Sequence, residues 1–413
     1  MKLLKEVIEE IKPQKYVLKK CNAVKEKINS KIKNKKIKAD AVLGGSIAKG
    51  TFLKDDYDCD IFVKFDMSYK NKDISNILEK VLKIFSKVER IHGSRDYFNF
   101  KVNGINFEII PVLDIKKAEY ALNITDCSPL HAEWVNKKIK KNIKLADEIR
   151  LAKAFFKSAN VYGAESYVKG FSGHVIDILV IYYKGFLPLI KNAVKWKENE
   201  VIDFNNYYKG KAMKELNKSK ISPLIVIDPI QPERNAAAVL SKEKFLLLKQ
   251  RAEDFLKNPS KSFFRKKEIT VEELKKKSKG KKLLILKVSA CRGKQDVVGS
   301  KILKVFDYIS KKLTSNDFKV YEKGWKWDKK KNALFWFIVK DEVLSENFVR
   351  AGPPLKSKKN VEDFKKKHRE TFVKGSRIYA TEKRSFRMPE NLINALKKDM
   401  YIKEKVRKIK TFI

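Results

Sequence analysis

Two aspartates one residue apart, Asp58 and Asp60, follow a glycine-serine turn by about a dozen positions. The turn reads Gly44-Gly45-Ser46-Ile47-Ala48-Lys49-Gly50-Thr51. A loop that ends in Gly-Ser and opens a short helix leaves backbone N–H groups free, and such a helix start favours phosphate. The Gly45-x4-Gly50 spacing is that of a P-loop, but the required Lys-Ser/Thr pair is replaced by Thr51-Phe52. The strand expected at Asp58–Phe65 alternates, so Asp58 and Asp60 share one face while Cys59, Ile61 and Val63 take the other. Neighbouring carboxylates repel unless a cation sits between them. Mg²⁺ suits both hard carboxylate oxygens and phosphates, so the pair reads as a metal site for phosphate chemistry. The bland alternative is a polar turn, of which Lys54-Asp55-Asp56-Tyr57 is an example just upstream.

These residues need a scaffold, and the periodicity supplies one. Residues 1–38 carry helical spacing (Leu3, Val7, Ile8, Ile11; then Tyr16, Val17, Val24, Ile28) broken at Pro13, a flank before a strand at Ala39–Leu43. A helix over 74–86 and strands at Tyr97–Val102 and 106–113, joined by Asn103-Gly104, complete a small mixed sheet with helices. From 129 to 257 the pattern is mostly helical, with an irregular crossing at 223–232, and 258–282 reads as a Lys-rich linker. A β-α-β-β unit follows (283–290, 302–313, 319–325, 333–339), half of a split βαβ frame often used on RNA. The end of the chain turns at Gly352-Pro353-Pro354. It then runs through a basic helix over 361–370 and a strand over 376–380 to a final helix.

At 413 residues the chain is too long for one core and points to about two to four domains. Lys plus Arg number 94 against 50 Asp plus Glu, a formal charge of +44, which attracts a large polyanion rather than a small anionic metabolite. A solvated lysine-rich surface would explain the many Lys but not the few acids. Basic stretches at 265–267, 275–282, 329–331, 356–359 and 365–368 are candidate phosphate contacts. Cys21, Cys59, Cys127 and Cys291 lack metal-ligand spacing and read as reduced thiols of a cytoplasmic protein. No signal peptide is read at the start, and the most apolar stretch, 175–183, is too short to cross a bilayer.

Gly-Ser, one helix turn and then Asp-x-Asp resembles the nucleotidyltransferase superfamily of the DNA polymerase β type. That resemblance implies a third carboxylate on a neighbouring strand. Glu108 fits, since Asn106-Phe107-Glu108-Ile109-Ile110-Pro111 carries no other charge and an unpartnered buried carboxylate is costly. It also implies two-metal, in-line attack of an RNA 3′-OH on the α-phosphorus of a nucleoside triphosphate, with pyrophosphate leaving.

Further segments narrow the family. Ser128-Pro129-Leu130-His131-Ala132-Glu133-Trp134, Leu151 to Lys157, Val161-Tyr162-Gly163-Ala164-Glu165 and Val168-Lys169-Gly170-Phe171-Ser172-Gly173 closely resemble the archaeal (class I) CCA-adding enzymes. Asp228-Pro229-x4-Arg234-Asn235 and Ala351-Gly352-Pro353-Pro354 fit the same family. The resemblance implies an α+β multidomain chain. A polymerase β-like head would span 1–125, a helical neck 126–258, an α/β body 259–345 and a tail 346–413. It implies template-free addition of C, C and A to tRNA from CTP and ATP, a grip on the acceptor and TΨC arms, and a homodimer. By the same resemblance Asp58, Asp60 and Glu108 are catalytic and hold Mg²⁺. Ser46, Lys49, His131, Lys153 and Tyr162 bind the nucleotide, and Arg234 reads the base. The chain departs from the family where Lys49 replaces the commoner Arg, Asp58 the commoner Glu, and Glu108 the commoner Asp. Two rivals remain: a poly(A)- or oligoadenylate-type RNA nucleotidyltransferase, and a non-catalytic tRNA-binding protein that kept the fold.

Overall fold

A computed structural model describes residues 2–267 and 269–412, and the chain divides into two compact units between residues 267 and 268. The first unit begins with α1 (Lys2–Ile11) and α2 (Lys15–Asn34) on either side of Pro13. A five-stranded sheet follows: β1 (Ala39–Leu43), β2 (Asp58–Phe65), β3 (Glu89–Ile91), β4 (Tyr97–Val102) and β5 (Ile105–Leu113), in the order β1-β2-β5-β4-β3. Only β2 and β5 pair in parallel; the other neighbours are antiparallel. The one-turn α3 (Gly45–Ala48) leaves the end of β1, and α4 (Ile74–Leu82) crosses between β2 and β3.

Alternation sorts the two faces of this sheet. Cys59, Ile61, Val63, Phe107 and Ile109 pack with Val24 and Ile28 of α2 and Leu78 and Val81 of α4. The opposite face carries Phe62, Ile110 and Val112 in a small separate cluster, which leaves room there for the polar side chains of β2 and β5.

The helical part contains α5 (Ser128–Lys141), α6 (Lys144–Ser158), α7 (Gly173–Tyr183), α8 (Phe186–Ala193), the short α9 (Ala212–Glu215) and α10 (Lys242–Lys257). Its core is built from aromatic rings, among them Phe155, Phe156, Phe171, Phe186, Phe255 and Phe264. Several expectations are corrected here. Helix α1 does not flank the sheet: Val7 lies in the helical core, with Leu3, Leu4, Ile8 and Ile11 packed against it. Helix α4 stops at Leu82, four residues early, and Phe85 packs from the loop. The supposed irregular crossing contains β7 (Leu224–Val226), which pairs in parallel with β6 (Glu200–Ile202). The supposed linker is ordered at both ends. Phe264 is buried in the helical core, and α11 (Val271–Lys277) starts at a reciprocal Thr270–Glu273 capping box.

In the second unit, β8 (Lys282–Ser289), α12 (Gln295–Ser315), β9 (Val320–Trp327) and β10 (Asn332–Val339) form the expected β-α-β-β unit. Trp336 is buried there, with its ring against Gly324. Beyond it lie β11 (Asn347–Pro354), α13 (Lys358–Lys367), β12 (Glu370–Lys374), β13 (Arg377–Lys383), α14 (Pro389–Leu396), α15 (Met400–Lys403) and β14 (Lys408–Thr411). Gly352-Pro353-Pro354 ends an edge strand rather than making a turn, a position where a missing N–H does little harm. The segment expected to be wholly tail is divided. Residues 347–383 build a β11-β13-β12 sheet, whereas β14 pairs with β8, and Leu392, Ile393, Leu396, Ile402 and Val406 join the body core. Among the described residues no single helix is long and apolar enough to cross a membrane.

Candidate active site

The parallel register of β2 and β5 sets Asp60 opposite Glu108 and Asp58 opposite Asn106. Paired residues of parallel strands point to the same face, so all three carboxylates project from one side of the sheet. Asn106 Nδ2 donates to Asp58 Oδ1 at 3.0 Å. The glycine-serine turn closes over them: Gly44 N donates to the Asp60 carbonyl at 2.8 Å. Gly45 has φ +53°, and a Cβ there would lie 1.7 Å from Asp60 Oδ2. Only glycine lets the backbone approach that carboxylate in this conformation.

Burial raises the Asp60 carboxyl to about 6, opposed by Lys49 and reinforced by Asp58. Burial, then Asp60 and Asp58, raise Glu108 to about 7. Among the described residues no ion pair neutralises either group. Asp60 and Glu108, their acidity suppressed by burial and without an ion-pair partner among the described residues, stand beside the Asp58 carboxylate. A hard divalent cation would satisfy such a donor set, so it fits Mg²⁺ or a similar ion.

A second cluster gathers around Asp177, which lies fully buried on α7. Lys49 Nζ pairs with Asp177 Oδ2, and Lys153 Nζ lies 3.3 Å from Oδ1. Lys153 also donates to Thr51 Oγ1 at 2.9 Å. Burial lowers Lys153 to about 8 although Asp177 pulls it back up. Burial alone would raise Asp177, but Lys153 and Lys49 outweigh it and hold the carboxyl below its ordinary value. Tyr162 stands at the start of α7, where a Cβ on Gly173 would be 3.0 Å from its hydroxyl. Burial, Asp56 and Asp177 all raise that phenol. Ser46 sits half-buried within α3.

His131 and Arg234 pair with a different carboxylate, and His174, whose ring centroid is 4.3 Å from that of His131, lies between the two clusters. That carboxylate is Asp228, which is fully buried: His131 Nε2 lies 3.1 Å from Oδ1, and Arg234 Nη1 donates to Oδ2 at 3.1 Å. Ile230 N and Gln231 N donate to the same Oδ1 at 2.9 and 3.3 Å. His174, on the first turn of α7, brings Nε2 to 3.5 Å from Oδ2, and burial lowers its imidazole to about 4. Burial would raise Asp228, but His131 and His174 more than reverse it. One ligand atom from each of His131, His174 and Asp228 lies within 4.8 Å of the others, a spacing that could hold a borderline metal. The carboxylate is already saturated by Arg234 and two backbone N–H groups, so the cluster reads as an ion-paired brace.

Three site residues, Thr51, His174 and Asp177, escaped sequence reasoning. Asp177 carried a usable signal, a lone charge in Val175-Ile176-Asp177-Ile178-Leu179, the same signal that marked Glu108. His174 carried none.

Comparisons with known proteins agree with this architecture. Residues 23–150 match the nucleotidyltransferase domain, 147–265 the second domain of tRNA nucleotidyltransferase, and 279–409 the C-terminal domain of CCA-adding enzymes. A CCA-adding enzyme of Methanocaldococcus jannaschii is 32% identical over 398 residues, covering 93% of this chain and 88% of the relative. One from Nanoarchaeum equitans is 35% identical over 353 residues, covering 84% of each. Among solved structures, the Cid1 poly(U) polymerase and a cytoplasmic RNA terminal U-transferase superpose with a TM-score of 0.52. They share 14% and 15% identity, over 64% and 65% of this chain and 98% of each neighbour. That likeness shows the fold alone; with the match of residues 23–150 to the nucleotidyltransferase domain, the chain is α+β and multidomain with a polymerase β-like nucleotidyltransferase head. Similarity to archaeal relatives over nearly the full length shows that the chain belongs to the CCA-adding enzyme family and is a nucleotidyltransferase.

Proposed function

We propose that the chain builds and repairs the 3′-terminal CCA of tRNA from CTP and ATP without a nucleic-acid template. The observation that carries this reading is the Asp58, Asp60 and Glu108 face beside the Gly44-Gly45-Ser46 turn, in a chain similar to CCA-adding enzymes almost end to end. The tRNA 3′ oxygen attacks the α-phosphorus, the bond to pyrophosphate breaks, and the hydroxyl proton leaves. Asp58, Asp60 and Glu108 would hold Mg²⁺, which when bound would supply the acidity that frees the attacking oxygen and the charge that stabilises pyrophosphate.

The chain's own residues do the rest. The N–H groups at the start of α3, with Ser46, receive phosphate oxygens. Lys49 and Lys153 supply point charges, and Tyr162 and His131 supply hydrogen bonds to the triphosphate. Arg234 presents a guanidinium fork to the base edge. We assign the expected head, neck, body and tail their labour accordingly: chemistry in the head, nucleotide selection in the neck, and grip on the acceptor and TΨC arms through the lysine-rich body and tail. We further propose that the enzyme works as a cytoplasmic homodimer, a state that sedimentation of the pure protein measures.

The test supplies tRNA ending at the discriminator base, Mg²⁺ and labelled CTP and ATP. The expected product gains two C and one A, and Asp58→Ala or Asp60→Ala abolishes addition. Long tracts of A from ATP alone would support the adenylate-polymerase reading instead, and tRNA binding with no incorporation would leave only the binding protein.

A further inference from the structure

Asp177 is a single acid inside an otherwise apolar helix, and it holds two lysines from two different parts of the first unit. Lys49 comes from the loop that follows α3 on the sheet; Lys153 comes from α6 in the helical part. The Asp177 side chain is 0% exposed, and the Lys49 and Lys153 side chains only 10% and 4%. Among the described residues neither lysine pairs with any other carboxylate. Asp177 therefore holds two ammonium ions on one carboxylate, and Asp60 is a further acid whose charge acts on both lysines.

A purely structural ion pair would be neutral, and an apolar pair of similar volume would serve as well. Two ammonium groups a few ångströms apart in a low-dielectric setting repel and swing away unless something holds them. Asp177 does so through one oxygen each, while Thr51 Oγ1 fixes the Lys153 head at 2.9 Å. The Tyr162 hydroxyl lies beside the same turn of α7, and Gly173 gives it room. The two adjacent ammonium groups, the hydroxyl and the helix start make this an environment for a polyanion.

We propose that Asp177 is a positioning residue for the nucleotide. It does not touch the triphosphate; it holds the Lys49 and Lys153 ammonium groups side by side so that one run of phosphates meets both. This rests on the assignment of the two lysines to the triphosphate made above. Each lysine offers the phosphates a charge-assisted hydrogen bond, and misplacing both weakens nucleotide binding by about ten- to a hundredfold. The step after binding uses other groups and stays near its normal rate.

The test compares the full-length wild type with Asp177→Asn, Asp177→Glu and Lys49→Met, alone and with Asp177→Asn combined with Lys49→Met. Steady-state addition to tRNA lacking its 3′ end gives kcat and the KM values for CTP, ATP and tRNA. Equilibrium binding of CTP without RNA, and thermal melting, are measured alongside. Asp177→Asn raises KM for both nucleotides about tenfold or more while kcat and the tRNA KM change by less than about threefold. Asp177→Glu recovers part of the loss. The double variant loses less than the product of the two single effects, because both changes take away Lys49, and its further loss beyond Lys49→Met alone reports the misplaced Lys153. Should Asp177→Asn fail to fold, Asp177→Glu in the CTP-binding assay decides: unchanged affinity in a folded variant overturns the proposal. So does Asp177→Asn with a lowered melting temperature but wild-type nucleotide KM. A wild type that adds no nucleotide refutes the function proposed above, and the CTP-binding arm still decides on Asp177.

Discussion

Asp60 and Glu108 are register partners across the parallel β2–β5 pair, and Asp60 makes Glu108 harder to ionise, as Asp58 does Asp60. Their carboxyls rise to about 6 and about 7, with burial the larger cause. Between about pH 4 and 7 the folded chain therefore holds protons at these groups that the unfolded chain has released. Stability at this site is greatest below the unfolded values and falls as pH rises through that window. After allowance for solvent screening, the fall is of order 2 kcal/mol per group. Melting in EDTA should show it as a drop between pH 5 and 7.5, and Mg²⁺ should restore stability at pH 7.5 while doing little at pH 5. Asp60→Asn should flatten the drop, raise the EDTA melting temperature at pH 7.5 and reduce nucleotide addition by about 10³-fold or more.

Gly45 and Gly50 both hold positive φ, but only Gly45 looks onto Asp60. A Cβ at Gly45 would lie 1.7 Å from the Asp60 carboxylate, whereas one at Gly50 would meet nothing within 4 Å. Gly50→Ala therefore carries backbone strain alone, about 1 kcal/mol, and should retain most activity. Gly45→Ala must in addition move Asp60, so addition should fall at least a hundredfold more than in Gly50→Ala. A divalent-ion titration should show a higher half-saturating concentration for Gly45→Ala only.

The sheet and its acidic face were legible because both follow local rules. Alternation placed Asp58 with Asp60, the Asn103-Gly104 turn fixed the hairpin, and a lone Glu108 in an apolar strand announced a partner. Contacts set by distant parts of the chain were not legible. The four residues of β14 read Lys-Ile-Lys-Thr with no turn signal, and they become a strand only because β8 offers an edge. Helix α1 has the same amphipathic spacing whichever core it joins, so its move to the helical core left no trace in the sequence. The pairing of His131 with a carboxylate was likewise hidden. It depends on Asp228, 97 residues away, drawing the imidazole to itself.

Lys153 gives a pH signature of a different kind. Asp177, Lys49, Lys157 and Asp60 are charged groups that act on it, and burial leaves its ammonium titrating at about 8. If the charge serves the triphosphate, nucleotide KM should be nearly flat up to pH 8. Above that it should rise about tenfold per pH unit as the neutral amine takes over. Lys153→Arg keeps its proton throughout, so its KM should lose that alkaline rise even if it starts higher. A wild-type KM that stays flat to pH 9.5 would remove Lys153 from the phosphate site.

Arg234 is tied to the buried Asp228 through Nη1 at 3.1 Å, while its side chain stays 35% exposed. One edge of the guanidinium is thus fixed and the other is free to meet a base. Lysine could keep the ion pair but has no second edge to present. Arg234→Lys should therefore fold normally, since Asp228 retains His131 and its two backbone donors. Its defect should be in selection: UTP and GTP incorporation relative to CTP and ATP should rise about ten- to a hundredfold, measured as ratios of kcat/KM. Asp228→Asn should show the same loss of selection together with a lower melting temperature, because Arg234 loses its counter-charge and the contacts that Asp228 makes to His131, Ile230 N and Gln231 N are weakened at once. Unchanged ratios in Arg234→Lys would mean that the base is read elsewhere.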